Sequence, residues 1–211
     1  MSKNALKIIL LWLAAEAFIW IPYRNFISYD KVLVAVVYFL IYSSITIFLF
    51  KDVFKKLITD TKANKYLLIV GSLIFHGLVY WFCNTYLSAP LELMKNSPAS
   101  YTLVNNYFLF GKPFDILLQQ LMLVVLVKKL EEENISLKNI ALVVTVIFGI
   151  AHLEALRRME LVYALILTSA ATLMALIIPR LILKIKDGFI HSFMIHLAFV
   201  DVAALLFWII F

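Results

Sequence analysis

The chain has 211 residues, of which 64% are hydrophobic and 15% charged, and carries a formal net charge of +6. No interior of a domain this size hides so much apolar surface, so the composition excludes a water-soluble domain and points to a polytopic membrane protein. The basic excess sits in short stretches between apolar runs, where it sets orientation, so it implies no nucleic-acid partner.

In chain order, seven apolar stretches match helices of roughly 20 residues crossing a core of about 30 Å: 7–21, 32–50, 66–87, 114–127, 140–153, 161–179 and 189–211. The first, fourth and fifth are short and are expected to extend into their polar flanks, with Lys and Arg side chains reaching the interface. The first stretch lacks a small-residue cleavage site and precedes further spans, so it reads as a retained helix rather than a removed signal peptide. Cys83, the single cysteine, lies in an apolar run and supplies neither a disulfide nor a multi-thiolate metal site within one chain. Tyr80 and Trp81 read as an interfacial anchor. The segment 88–112, with Pro90 and Pro98, is too polar to span and is expected to be an outer loop or interfacial helix. The fold expectation is a single all-α transmembrane helix bundle over residues 1–211, with about seven spans and no internal repeat.

Assigning the basic residues to alternate sides places thirteen of the nineteen with the N-terminus, the polar turns after the second and fourth stretches, and Arg180, Lys184 and Lys186. Arg24, Lys31, Lys95, Lys112, Arg157 and Arg158 fall on the other side. The imbalance predicts a cytoplasmic N-terminus in an integral, multi-pass membrane protein surrounded by lipid.

Ionisable groups in hydrocarbon are expensive, about 2.5 to 3.5 kcal/mol for an aspartate at a helix centre, so each needs an explanation. The candidates are Glu16, His76, Asp115, His152, His191, His196 and Asp201. Counted from Lys128, Lys138 and Lys186, the residues Asp115, His152 and His196 all lie at a depth of roughly 15 to 21 Å, taking about 1.5 Å per residue. Glu16 and His76 fall near the same level, so depth alone does not choose among them. Asp115 and Gln119 are four apart and share a helix face, as do Phe148 and His152. His191 is about 140° around the helix from His196 and is expected to face elsewhere. Lone histidines such as His76 and His191 read most simply as interhelical hydrogen-bonding groups. Asp115, following Pro113, also suits a helix N-terminus, where the dipole favours an acidic group.

The order of an apolar helix, a Lys128-Lys129 turn, Phe148-Gly-Ile-Ala-His152, a long apolar helix and Asp187-Gly188-Phe189 leading to His196 resembles the CPBP intramembrane proteases, the family of CAAX prenyl endopeptidases and bacteriocin-processing enzymes. The resemblance covers 113–201. That family carries Glu-Glu-x-x-x-Arg, Phe-x-x-x-His and His-x-x-x-Asn on successive helices. Here the second element is intact as Phe148 and His152, and the later histidine falls on His196. The two glutamates fall on Phe114 and Asp115, the arginine on Gln119, and the asparagine on Val200, with Asp201 one residue beyond. The resemblance implies water activated by a carboxylate with His152, and an oxyanion stabilised by His196. Asp115 is the neighbouring carboxylate, and Glu16 is a replacement if packing brings it close.

Two histidines and a carboxylate suffice as ligands for a catalytic divalent metal with an open position, but no His-Glu-x-x-His helix is present and the pattern does not require a metal. Two functions follow as expectations. One is a divergent intramembrane endopeptidase acting on a membrane-anchored peptide or protein through Asp115, His152 and His196. The other is a catalytically inactive scaffold or binding protein of the same fold, favoured by the missing Glu-Glu and Arg.

Overall fold

The computed structural model describes residues 2–26, 31–59, 64–89, 104–152 and 161–210. These residues form α1 (Lys3–Phe26), α2 (Val32–Leu49), α3 (Lys51–Thr59), α4 (Asn64–Tyr86), a π-helical turn (Tyr107–Gly111), α5 (Lys112–Glu132), α6 (Leu137–His152), α7 (Leu161–Lys184) and α8 (Gly188–Ile210), with no strand among them. The all-α expectation holds. Among the described residues six helical stretches are long and apolar enough to cross a membrane: Lys3–Tyr23, Val32–Leu49, Tyr66–Tyr86, Tyr107–Glu132, Ala164–Lys184 and Gly188–Ile210. The fifth apolar stretch also forms a helix, but α6 has only 16 described residues and is about 24 Å long at about 1.5 Å per residue.

The bundle is built around α5, which packs against α1, α2, α6, α7 and α8. Its run from Gln120 to Val127 is buried without interruption, as expected of a helix that is apolar on every side and enclosed on every side. The outer helices have the reverse character. On α2 the inward stripe is Ala35, Phe39, Ser43 and Thr46, whereas Leu33 and Phe48 on its outer face are 75% and 76% exposed. Small and hydroxyl side chains inside with large apolar ones outside suit close helix approach in an apolar surround, where burying apolar area supplies no driving force.

Two tight turns return the chain. After α5, Asn134 takes a left-handed φ of 58°, and the Ile135 and Asn134 amides donate to the carbonyls of Leu130 and Glu131. That pairing is a Schellman closure, which satisfies the last carbonyls of α5 and turns the chain into α6. After α7, Asp187 takes the same φ of 58°. A Cβ on the next residue, Gly188, would lie 1.8 Å from the Leu181 carbonyl oxygen, so only glycine fits there.

Several boundaries differ from those read in the sequence. The first and fourth spans extend at both ends, as expected. Residues 107–112, read as part of an outer loop or interfacial helix, are helical and run straight into α5 as part of its membrane-length stretch, while 90–103 lie outside the described residues. The wide turn has a local cause. Pro113 has no N–H, and its ring would press on the Leu109 carbonyl in a regular helix; opening Tyr107–Gly111 to π geometry relieves that contact. The sequence reading missed α3, which follows α2 directly with Val53 and Phe54 buried and Lys51, Asp52 and Lys55 exposed.

Candidate active site

Asp115 begins the site. It projects from α5 on the same face as Lys112 and Gln119, and its buried carboxylate accepts from Lys112 Nζ at 2.7 Å and from Gln119 Nε2 at 2.6 Å. Tyr107 OH, delivered by the π turn, lies 3.4 Å from the same carboxylate. Asp115 does lie in the first turn of α5, as the N-terminal reading expected, but it makes no capping bond. The helix has already begun before Asp115, the Lys112 amide donates to the Tyr107 carbonyl, and the carboxylate bonds side chains.

These groups line a cavity of about 870 Å³, within the usual range for small-molecule sites. Glu16 of α1, His152 at the end of α6 and His196 of α8 line it too, so the carboxylate and both histidines of the expected site share one space. Most of its remaining wall is apolar. Leu13, Ala17 and Ile21 of α1, and Leu142, Val146 and Ile150 of α6, recur at intervals of four. All six border the cavity and are also exposed, so they form its two rims.

The hydrogen bonds of the two histidines fix different tautomers. His152 Nδ1 lies 2.8 Å from the Phe148 carbonyl oxygen. A carbonyl only accepts, so Nδ1 carries the proton and Nε2 keeps a lone pair. His196 Nδ1 lies 2.7 Å from Gln120 Nε2. An amide nitrogen only donates, so this Nδ1 accepts and the proton resides on Nε2. One imidazole thus offers a base and the other a donor. Glu16 Oε2 accepts from Trp20 Nε1 at 2.6 Å, one turn along α1.

Other sequence candidates lie outside this space. His76 and Asp201 are buried and bond each other, His76 Nδ1 to Asp201 Oδ1 at 2.5 Å, while His76 Nε2 donates to the Phe108 carbonyl at 2.8 Å. The reading of His76 as an interhelical hydrogen-bonding group agrees with this geometry, which also draws Asp201 away from His196. His191 is half-buried and does not border the cavity. Phe114, where the resemblance puts the leading glutamate, packs on the hydrophobic core instead of lining the cavity. Val200, at the asparagine position, lines the cavity but has no polar group. Among the described residues no three His, Cys, Asp or Glu side chains converge as metal ligands, so Asp115, His152 and His196 do not form the ligand set that the sequence allowed without requiring.

Lys112, Tyr107, Gln120 and Ser192 were missed as site residues. From the sequence Lys112 reads only as an orientation charge, and Tyr107 falls in the segment expected to be an outer loop or interfacial helix. Gln120 and Ser192 carried a signal, being amide and hydroxyl groups inside apolar helices, where polar groups need partners. No family model, curated protein or solved structure matches this chain.

Proposed function

We propose that the protein is a seven-span membrane protein with a cytoplasmic N-terminus and acts as a divergent intramembrane endopeptidase of the CPBP type. The membrane reading is supported by the six long apolar helices and their exposed apolar faces. The observation that carries the activity is the shared cavity, with an unprotonated nitrogen on His152 and a protonated one on His196 beside Glu16 and Asp115.

In the proposed reaction His152 Nε2 takes a proton from water as the water oxygen bonds to the scissile carbonyl carbon. A carboxylate near the imidazole stabilises the resulting imidazolium. His196 Nε2–H donates to the oxyanion, which supplies stabilisation where charge develops. Collapse of the tetrahedral intermediate breaks the C–N bond, and His152 returns its proton to the leaving amine. Because Asp115 already accepts from Lys112 and Gln119, whereas Glu16 accepts from Trp20 through Oε2, we assign the imidazolium to Glu16, the less heavily bonded carboxylate of the cavity. The exposed apolar rims on α1 and α6 suit a substrate that enters sideways from lipid.

Hydrolysis of a membrane-anchored peptide by purified protein in detergent tests this assignment. Glu16→Gln is expected to remove most activity, while Asp115→Asn weakens it less. The opposite ranking would transfer the role to Asp115.

A second reading, a non-catalytic scaffold, is favoured by the same saturated Asp115 and by Phe114 lying off the cavity. The cavity then serves to hold a lipid or an apolar segment of a partner, and neither substitution changes hydrolysis because there is none.

A further inference from the structure

His196 does not hold its tautomer alone. Gln120 of α5, fully buried, spans the gap between two residues of α8, four apart on one face: its Nε2 donates to His196 Nδ1, and its Oε1 accepts from Ser192 Oγ at 2.5 Å. Ser192 Oγ also lies 3.2 Å from the Phe189 carbonyl. A hydroxyl has one proton, and the shorter contact to Gln120 takes it.

The direction of this chain matters. With Ser192 donating to Oε1, the amide is turned so that its NH2 faces the histidine, and His196 accepts at Nδ1. Rotating the amide by half a turn would reverse every bond: Ser192 would donate to Phe189, Gln120 Nε2 would donate to Ser192, and His196 Nδ1 would have to carry the proton. Nε2 would then be an acceptor, the wrong polarity for an oxyanion.

We propose that Gln120 and Ser192 are positioning residues that lock His196 as the Nε2–H donor of the cavity. The functional consequence rests on the hydrolase reading above, whereas the tautomer does not. Ser192 selects the amide orientation, Gln120 passes that selection to the imidazole, and α5 and α8 supply the rigid spacing. Neither side chain borders the cavity, so both act through His196.

The test is nitrogen-15 NMR of histidine-labelled full-length protein in detergent at about pH 8.5, well above the unperturbed imidazole range. The protonated and unprotonated ring nitrogens are resolved by their shifts and by their couplings to ring protons, and His196→Gln assigns the signals. The expected result is an Nε2–H imidazole at His196 and an Nδ1–H imidazole at His152. Ser192→Ala is expected to give a mixture at His196, and Gln120→Glu, whose carboxylate only accepts, to convert it to Nδ1–H. An Nδ1–H imidazole at His196 in the parent would overturn the proposal, and so would a tautomer unmoved by both substitutions. If Gln120→Glu does not fold, Gln120→Met removes both bonds at similar volume, and the parent spectrum decides independently. In the hydrolysis assay Gln120→Glu should lower kcat by about 10²-fold, the scale of losing one oxyanion donor, with KM little changed. An Nε2–H tautomer in a protein with no hydrolysis would refute the hydrolase reading while leaving the positioning proposal standing.

Discussion

His76 and Asp201, 125 residues apart in the chain, meet at 2.5 Å and tie α4 to α8. The second imidazole nitrogen reaches the Phe108 carbonyl, so the pair also holds the π turn that carries Tyr107. Both side chains are almost completely buried, so removing either leaves a polar group with no replacement solvent. Asp201→Ala is expected to destabilise the protein by about 1–3 kcal/mol. Replacing both by leucine should destabilise it less than His76→Leu alone, because both variants leave the Phe108 carbonyl without its donor but only the single one also strands the Asp201 carboxyl. Thermal unfolding in detergent checks the comparison, and a double substitution worse than the single one would count against this account of the pair.

Placing a glutamate at residue 114, where the resemblance to the CPBP proteases would put one, should not create activity. Phe114 packs on the core and does not line the cavity, whereas Asp115, about 100° further round α5, does. Phe114→Glu is therefore expected to lower stability by a few kcal/mol, roughly the price of an acid in an apolar setting, with no gain in hydrolysis. Increased peptide cleavage by this variant would indicate a different register for α5.

The turn into α8 tolerates only glycine. A methyl group on residue 188 would meet the Leu181 carbonyl oxygen at 1.8 Å, so Gly188→Ala forces backbone movement. Overpacking of this kind destabilises by about 1–3 kcal/mol. The melting temperature of the purified variant should fall. An unchanged value would mean that the two helices separate easily at this end.

Orientation is open to a chemical test at two exposed sites. Ser136 lies in the turn between α5 and α6, and Thr85 near the end of α4. With a cytoplasmic N-terminus and seven spans, a cysteine at 136 is protected from a membrane-impermeant thiol reagent in intact cells, and a cysteine at 85 is labelled. The reverse pattern would invert the topology. Cys83 is buried, so it contributes little background.

The helices were legible because long apolar runs have few alternatives, and the turns at Asn134 and Asp187 close where the charged residues stood. The ends were less legible. Residues 107–112 fell in the segment 88–112, which is too polar to span and read as an outer loop or interfacial helix, yet the π turn joins them to α5 and the Tyr107 and Lys112 side chains reach Asp115 inside the bundle. Within the site, His152 and His196 were marked by spacing and resemblance, and the cavity contains both. Asp115 was marked as well, but its ion pair with Lys112 was not, since a loop lysine carries no sign that it will fold back by one turn. Gln120 was passed over because a single amide in an apolar helix does not reveal which helix it will face. The His76–Asp201 pair joins residues too far apart for any local pattern to connect them.

The central claim is that His152 Nε2 works as a base in the cavity. Purified full-length protein in detergent should cleave a membrane-anchored peptide, and His152→Ala should reduce the rate by about 10²- to 10⁴-fold, the usual contribution of a general base. Circular dichroism should show the variant still helical, since among the described residues the side-chain bond that His152 loses goes to the Phe148 carbonyl one turn back. Cleavage at the parental rate by folded His152→Ala, or no cleavage of such peptides by the parent protein, would contradict the account.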